Sequence, residues 1–600
     1  MGSGYQAVVN YAFPQTDAPA QRQLRLETVP GGSVLATAQS ATVRGAWTVN
    51  LACPAATVQK IRAVAVACGD EQVADEKDVT SQKPVVDVVL DRVVESGKLK
   101  ATVTYTVLPA GASARLKVDV LAAYDENGAP VPQFGLFDGN VTDTGTKEFL
   151  IDPIAGALQV VVNARLSNCR EAVEKDAAVG CMSCDYAPRS SGDPVAFSDA
   201  DMRYTDSEPL PPILGAALSR TYDSHHQMRG VFGRGWTTLF DQRMVVTQRP
   251  EGELVYFTTE TNDAVVFALE GGAYVQRWPT STNGTGTLVK DISGGVYIYR
   301  APNAATQSLF RISDGRFAGW RQLATARSLT VAYDGNGLPL NVTDSWTGVK
   351  WLLTTDSSNR RINSIAVEGH PEITWTYQYT ARNLTTVLAP GSTPWRTYEY
   401  ENNRMTASRD AAGRLIESHT FDANGAAKSS TGARDEIALF EYNLPHPAGR
   451  VTRVTTRSGG VTDYVLAPAG GAWRTIQVIG GCSACGGRNS SYVYDTDGHT
   501  VRQQNASGYV TLRTYAAGRL ATEQNHLRPT GCDPETHPTR CRLDSASLAA
   551  AAVEATAASV TTTYAYADPQ WPDKATMIAT TSVLSPTSTR RETFVYDGVT

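Results

Sequence analysis

Charge is scarce in this sequence. Asp, Glu, Lys and Arg make up 19% of its 600 residues, and 54 basic against 60 acidic residues leave a formal net charge of −6 without a long block of either sign. That excludes a broad electrostatic surface for nucleic acid or anionic lipid. No apolar run reaches the ~18 residues that a membrane-spanning helix needs. Met1-Gly2-Ser3-Gly4-Tyr5 lacks the basic start and apolar stretch of an export signal. Gln6 stands where N-myristoylation favours a hydroxyl residue. No GxSxG, HExxH or phosphate-loop pattern occurs. The eight histidines are scattered, and His225-His226 would face opposite sides of a strand, so they make no natural chelate. The residues therefore predict no catalytic group, no cofactor and no metal site.

Gly and Pro are plentiful, at 50 and 30 residues, and accompany much Tyr, Thr and Val. That composition suits a turn-rich all-β chain. In the first third, Ala101, Val103, Tyr105 and Val107 alternate with polar residues, and Leu116, Val118 and Val120 alternate with Lys117 and Asp119. Ile61 to Cys68 and Val85 to Leu90 are apolar runs, each broken by one charge, Arg62 or Asp87. Short strands at this spacing predict two Ig-like β-sandwich modules, 1–82 and 83–187, acting as spacers or adhesive domains.

The nine cysteines lie in local groups: Cys53 and Cys68; Cys169, Cys181 and Cys184; Cys482 and Cys485; Cys532 and Cys541. Short loops between partners suit disulfides in an oxidising compartment. The odd count leaves one thiol over, assigned to the 169/181/184 group. Zinc needs four neighbouring ligands, and the two CxxC pairs are about 300 residues apart rather than the ~20 of a double-CxxC site.

From about residue 330 the chain repeats. Tyr379, Tyr400, Phe421 and Tyr442 follow one another at 21-residue steps, Tyr464 at 22, and Tyr494 and Tyr515 are again 21 apart. Tyr333-Asp334-Gly335-Asn336-Gly337, Phe421-Asp422-Ala423-Asn424-Gly425 and Tyr494-Asp495-Thr496-Asp497-Gly498 place a turn after the aromatic. Asn-Gly and Asp-Gly are expected to supply the positive-φ positions of two-residue hairpins. The aspartates are expected to cap the turn. They do not fit a calcium roll, whose repeat is nine residues long. Each unit reads as one hairpin, stable only when stacked on its neighbours. In that stack the ring is expected to matter more than the hydroxyl, since Phe421 replaces Tyr.

These units resemble the YD repeats of the RHS family, bacterial relatives of the teneurin shell. A second block is similar to the domain that opens the repeat region in that family. Its residues are Gly192-Asp193-Pro194-Val195, Leu210-Pro211-Pro212, Ser219-Arg220-Thr221-Tyr222-Asp223-Ser224, and Val231-Phe232-Gly233-Arg234-Gly235-Trp236. Trp236 reads as a core anchor beside its glycines. The resemblance covers about 190–600 and implies an opening domain at 188–250 and a curved antiparallel β-hairpin solenoid at 251–600. An insertion at 525–560 is expected to carry an Ala-rich helix that projects from the array, capped by Asp544 or Ser545.

The resemblance further implies a non-catalytic scaffold, part of a shell that encloses and delivers a C-terminal toxin domain absent from this chain. Its partner would be that domain or downstream chain, and its place secreted or at the bacterial cell surface. The core segment that ends such shells has no counterpart here, and both termini are expected to be incomplete. An array of about ten units is expected to be too short for a closed cocoon. The alternative is an extracellular adhesion or carbohydrate-binding protein, its front modules meeting a cell-surface glycan or protein.

Overall fold

The computed structural model describes residues 4–596 apart from connecting segments, the longer of them 13–21, 53–59, 123–133, 152–159, 179–194, 280–285, 481–488 and 583–588, and few side chains before residue 80. Cys53, Cys68, Cys169, Cys181, Cys184, Cys482, Cys485, Asp193 and Pro194 lie outside the described residues.

Strand follows strand along nearly the whole chain. The first module pairs Gly4–Ala12 with Arg44–Ala52, and forms a second sheet in the order 34–39, 22–29, 60–67, 70–78. In the second module the sheets 144–151/99–106/85–92 and 134–142/113–122/161–167/172–178 share one core. The alternation foreseen at Ala101, Val103 and Val107 and at Leu116, Val118 and Val120 forms the two facing layers of that core.

A four-stranded meander follows, from Met244–Arg249 through 252–258 and 264–270 to Ala273–Trp278. Its middle strands read as continuous apolar runs because both faces are covered. Val255, Phe257, Val265 and Phe267 point into the main core. Leu254, Tyr256, Val266 and Ala268 pack with Leu121, Val161 and Ala178 of the second module.

The repeat region is one sheet of 25 strands, from Thr287–Asp291 to Thr589–Thr593, each strand bonded to its neighbours in sequence. All its pairings are antiparallel, so each repeat contributes a hairpin. The sheet starts well before the first Tyr-Asp unit. Its early hairpins, such as 296–300 with 306–311, lack the motif and are carried by alternating apolar residues alone.

The aromatic positions share one local geometry. At Tyr333, Tyr379, Tyr400, Phe421, Tyr494 and Tyr515 the pairing register slips by one residue. Gln378 pairs with Thr386 while Tyr379 pairs with Leu384, leaving Thr385 over as a bulge. In several units the tyrosine hydroxyl donates to a carbonyl of the previous strand, whereas that of Tyr400 accepts from Trp236. Tyr333 reaches the Phe317 oxygen at 2.8 Å, Tyr379 that of Ile362 at 2.6 Å, Tyr442 that of Ala427 at 2.7 Å, and Tyr494 that of Thr475 at 2.8 Å. The hydroxyl is thus a strand-to-strand tie, which the Phe421 variant had concealed.

The turns after the aspartates differ from the expected two-residue form. The Asp334 Oδ1 accepts from the amides of Asn336 at 2.9 Å and Leu338 at 2.8 Å, and the Asp334 amide donates to the Leu338 carbonyl at 2.9 Å. Asp422 and Asp495 repeat the arrangement. Only the glycine takes positive φ there, +74° at Gly337, +91° at Gly425 and +85° at Gly498. The carboxylate oxygen that bridges two amides stabilises this longer loop. Two-residue turns occur where the Asp is missing, as at Asn402-Asn403, with φ of 49° and 63° between paired Glu401 and Arg404.

The insertion also departs from expectation. Its helix is Ser545–Ala550, with Asp544 accepting from the Ser547 amide at 2.7 Å. The Ala-rich continuation is strand, Val553–Ala565, paired with Arg519–Pro529. β-Branched Val553, Thr556, Val560 and Thr561 favour that pairing over helix. The helix lies on the sheet rather than projecting, because Leu548 is buried against Val510 and Leu527. Cys532 and Cys541 are disulfide-bonded in this insertion, with Cα atoms 5.6 Å apart.

Tyr379→Phe is expected to lower stability by about 1 kcal/mol through the lost tie to Ile362. Tyr379→Ala is expected to cost about 3–5 kcal/mol. Chemical denaturation checks both, and hydrogen exchange should place the loss on strands 361–367 and 383–389.

Candidate functional site

The opening block is built from the strands Arg203–Ile213, Ala216–Asp223 and Trp236–Thr238, with a small ribbon at 229–234. It forms a plug that packs on one face of the repeat sheet and shares one core with it, from Leu288 to Tyr492. Backbone bonds pin it there. The Arg234 amide donates to the Arg382 carbonyl at 2.8 Å, the Ile362 amide to that of Val231 at 2.8 Å, and the Ala427 amide to that of Ala200 at 3.1 Å.

The glycines of the Phe-Gly-Arg-Gly-Trp run make this approach possible. Gly233 has φ +96°, and a Cβ there would stand 2.5 Å from the Arg382 carbonyl oxygen. Gly235 has φ +78°, and its Cβ would meet the Tyr222 ring at 2.6 Å. A larger residue at Gly233 would push the plug off the sheet, and one at Gly235 would displace the Tyr222 ring within the plug.

Trp236 is completely buried and donates from Nε1 to the Tyr400 hydroxyl at 3.0 Å. The Tyr222 hydroxyl accepts from the Met405 amide at 2.9 Å. The rings that receive the plug form a second ladder, two residues before the one visible in the repeat spacing. Phe232 meets Tyr377 at 4.7 Å between centroids, and Trp236 meets Tyr398 at 5.0 Å. Tyr377, Tyr398, His419 and Phe440 are all buried. Their signal was present as ring-x-ring pairs at the same 21-residue period, Tyr-x-Tyr at 377 and 398, His-x-Phe at 419 and Phe-x-Tyr at 440. Alternation along a strand puts residues i and i+2 on one face.

At the centre lies Arg220, which sequence reading included in a motif without a role. Its side chain is 0% exposed and pairs with equally buried Glu208 at 2.5 Å. Four rings surround the guanidinium, Trp236 at 5.0 Å, Phe232 at 5.3 Å, Tyr377 at 5.7 Å and Tyr398 at 5.9 Å. The Tyr398 hydroxyl accepts from Arg220 at 3.3 Å and donates to Asp206 at 2.6 Å, which Arg396 approaches at 3.2 Å. Burial pushes Glu208 up to about 7. Burial pulls against the charge on Arg220 too, and Glu208, Tyr398 and Asp206 outweigh it. A second buried group holds Arg203 among Asp201 at 3.2 Å, Asp223 at 3.3 Å and Asp263 at 3.0 Å. His225 donates its amide to Asp201 and Asp223, and its ring Nε2 lies 3.1 Å from the Gly425 carbonyl. It is therefore a plug-to-sheet contact.

The sheet comes back on itself. The turn at Gly470-Gly471 presses on Trp278 of the meander, and Lys175 of the second module pairs with Asp497 at 2.8 Å. Farther on, Trp571 is buried under Arg300, 4.6 Å from its ring, with Lys574 at 4.0 Å. Arg300 belongs to the second strand of the repeat sheet, so the array meets its own beginning. The count of Tyr-Asp units omitted the hairpins before residue 330 and the pair after 550.

Arg220→Ala is expected to cost about 3–5 kcal/mol by stranding Glu208, whereas Arg220→Met with Glu208→Leu should recover much of the loss. Denaturation of both variants decides it. Glu208 also predicts a pH effect. Its folded pKa lies above its unfolded value, so its contribution is fully present below about 4.5 and fades as pH rises through about 7. Glu208→Gln should flatten the pH dependence of the denaturation midpoint across that window.

A family model described as a domain of unknown function, DUF6531, matches residues 194–267, the plug and the meander as far as its third strand. No curated protein matches the chain. Among solved structures, the chain is similar to the crystal structure of TcdB2-TccC3-TEV, at 12% identity and a TM-score of 0.30, over 86% of this chain and 27% of that one. It is likewise similar to TcdB2-TccC3 without its hypervariable C-terminal region, at 12% identity and a TM-score of 0.28, over 85% of this chain and 27% of that one.

Proposed function

We propose that the chain is a non-catalytic structural scaffold, part of an RHS-type β shell that encapsulates and delivers a C-terminal toxin domain lying outside these 600 residues. The observation that carries this reading is the return of the repeat sheet to its own start, where Trp571 docks on Arg300, around a plug fixed to its inner face. A stalk has no need of such a return. A wall that must separate an inside from an outside does. The resemblance of the Tyr-Asp units and the opening block to the RHS family supports the same role. The scaffold acts outside the cell that makes it, at the surface or after release, where local disulfides such as Cys532–Cys541 persist.

The test is to express the full reading frame that contains this chain and digest it with proteinase K. The expected result is a protected C-terminal domain that becomes cleavable in the Trp571→Ala variant. A C-terminal region cut equally in both proteins, or one consisting of a surface anchor, overturns the reading.

A further inference from the structure

A cleft of about 240 Å³ opens where the second module meets the meander. Asn163 and Arg249 stand in its wall, and Glu174, Asp119, Lys117 and Phe134 complete the part that matters here. It lies on the outer side of the meander, away from the plug. We propose that this cleft binds a single pyranose ring of a neutral glycan.

The polar groups in it are held rigidly. The Asn163 side-chain amide donates to Glu174 Oε1 at 2.7 Å and to Asp176 Oδ1 at 2.8 Å. Two carboxylate oxygens on the nitrogen leave its orientation no choice, so Oδ1 is presented as a fixed acceptor. Asn163 is 4% exposed, so the acceptor is set deep. Arg249 has a side chain 8% exposed and donates from Nη1 to Glu174 at 2.7 Å, while its buried Nε has no hydrogen-bond partner. A fixed carboxamide beside an arginine–glutamate pair offers both donor and acceptor groups, which match hydroxyls because a hydroxyl does both.

The charges argue against an ionic ligand. Arg249 is matched by Glu174, Lys117 by Asp119 at 2.7 Å, and Arg165, the remaining charged residue of the wall, is engaged as well. An anion or cation would have to break one of these pairs. Size argues against a peptide, because the volume is below the roughly 300 Å³ at which pockets for drug-sized ligands begin. At the rim, Phe134 is 39% exposed, an apolar surface on which the C–H face of a sugar ring can lie. Junctions between domains are common places for such sites. This inference does not rest on the shell reading, and either can fail alone.

Saturation-transfer NMR on the full 600-residue chain tests it, with methyl α-glucoside, α-mannoside, α-galactoside and N-acetyl-β-glucosaminide as probes and mannitol as an open-chain control. The expected result is transfer to at least one ring sugar and not to mannitol. Phe134→Ala, at an exposed position, should then lower the affinity about tenfold, a loss near 1.4 kcal/mol. Gln248→Ala, also on the cleft wall, gives a second and independent reduction. Absence of transfer to all four sugars, transfer equal to that of mannitol, or affinity unchanged in both variants overturns the proposal.

Discussion

A sheet made of hairpins joined edge to edge has two faces and no interior of its own. Everything else in this structure depends on an apolar body being supplied to one of those faces. The opening block supplies it. Phe232, Trp236 and Tyr222 stand against Tyr377, Tyr398 and Tyr400, and the resulting core runs along most of the array. The meander does the same work between layers, burying one set of residues against the sheet's core and the alternate set against the second module.

Arg220 shows how that core is made specific. A hydrophobic contact between plug and sheet would tolerate sliding by one hairpin, since the repeats are nearly alike. Arg220, Glu208 and Asp206 all belong to the plug, and such a slide would break their ties to the sheet, the Tyr398 hydroxyl between Arg220 and Asp206 and Arg396 beside Asp206. These polar ties to Tyr398 and Arg396, rather than the Arg220–Glu208 pair itself, favour one register.

Much of this was legible. The all-β class, the hairpin per repeat and the continuous sheet follow from the 21-residue period, and the Tyr-Asp aspartates act at the turns where the sequence put them. Other features were hidden for physical reasons. Strands 296–300 and 306–311 carry ordinary alternating residues that mark no repeat. The turn type was misjudged because the side-chain bonds of Asp334 and Asp422 outweigh the preference of Asn-Gly for a two-residue loop. Tyr398, the sheet residue that meets Arg220, lies 178 residues away, and no local pattern connects the two. The cleft at Asn163 arises only when the second module meets the meander.

The plug precedes the repeats in the chain. During synthesis it leaves the ribosome before any strand that will cover it, and domains generally fold from the N-terminal end as they emerge. Each new hairpin then finds two surfaces already waiting, the edge of the previous hairpin and the next stretch of plug. Growth of this kind is templated from inside, like a wall laid around a post. The long-range contacts that would make a sheet of this size slow to assemble from a complete unfolded chain are replaced by a series of short searches, one for each hairpin.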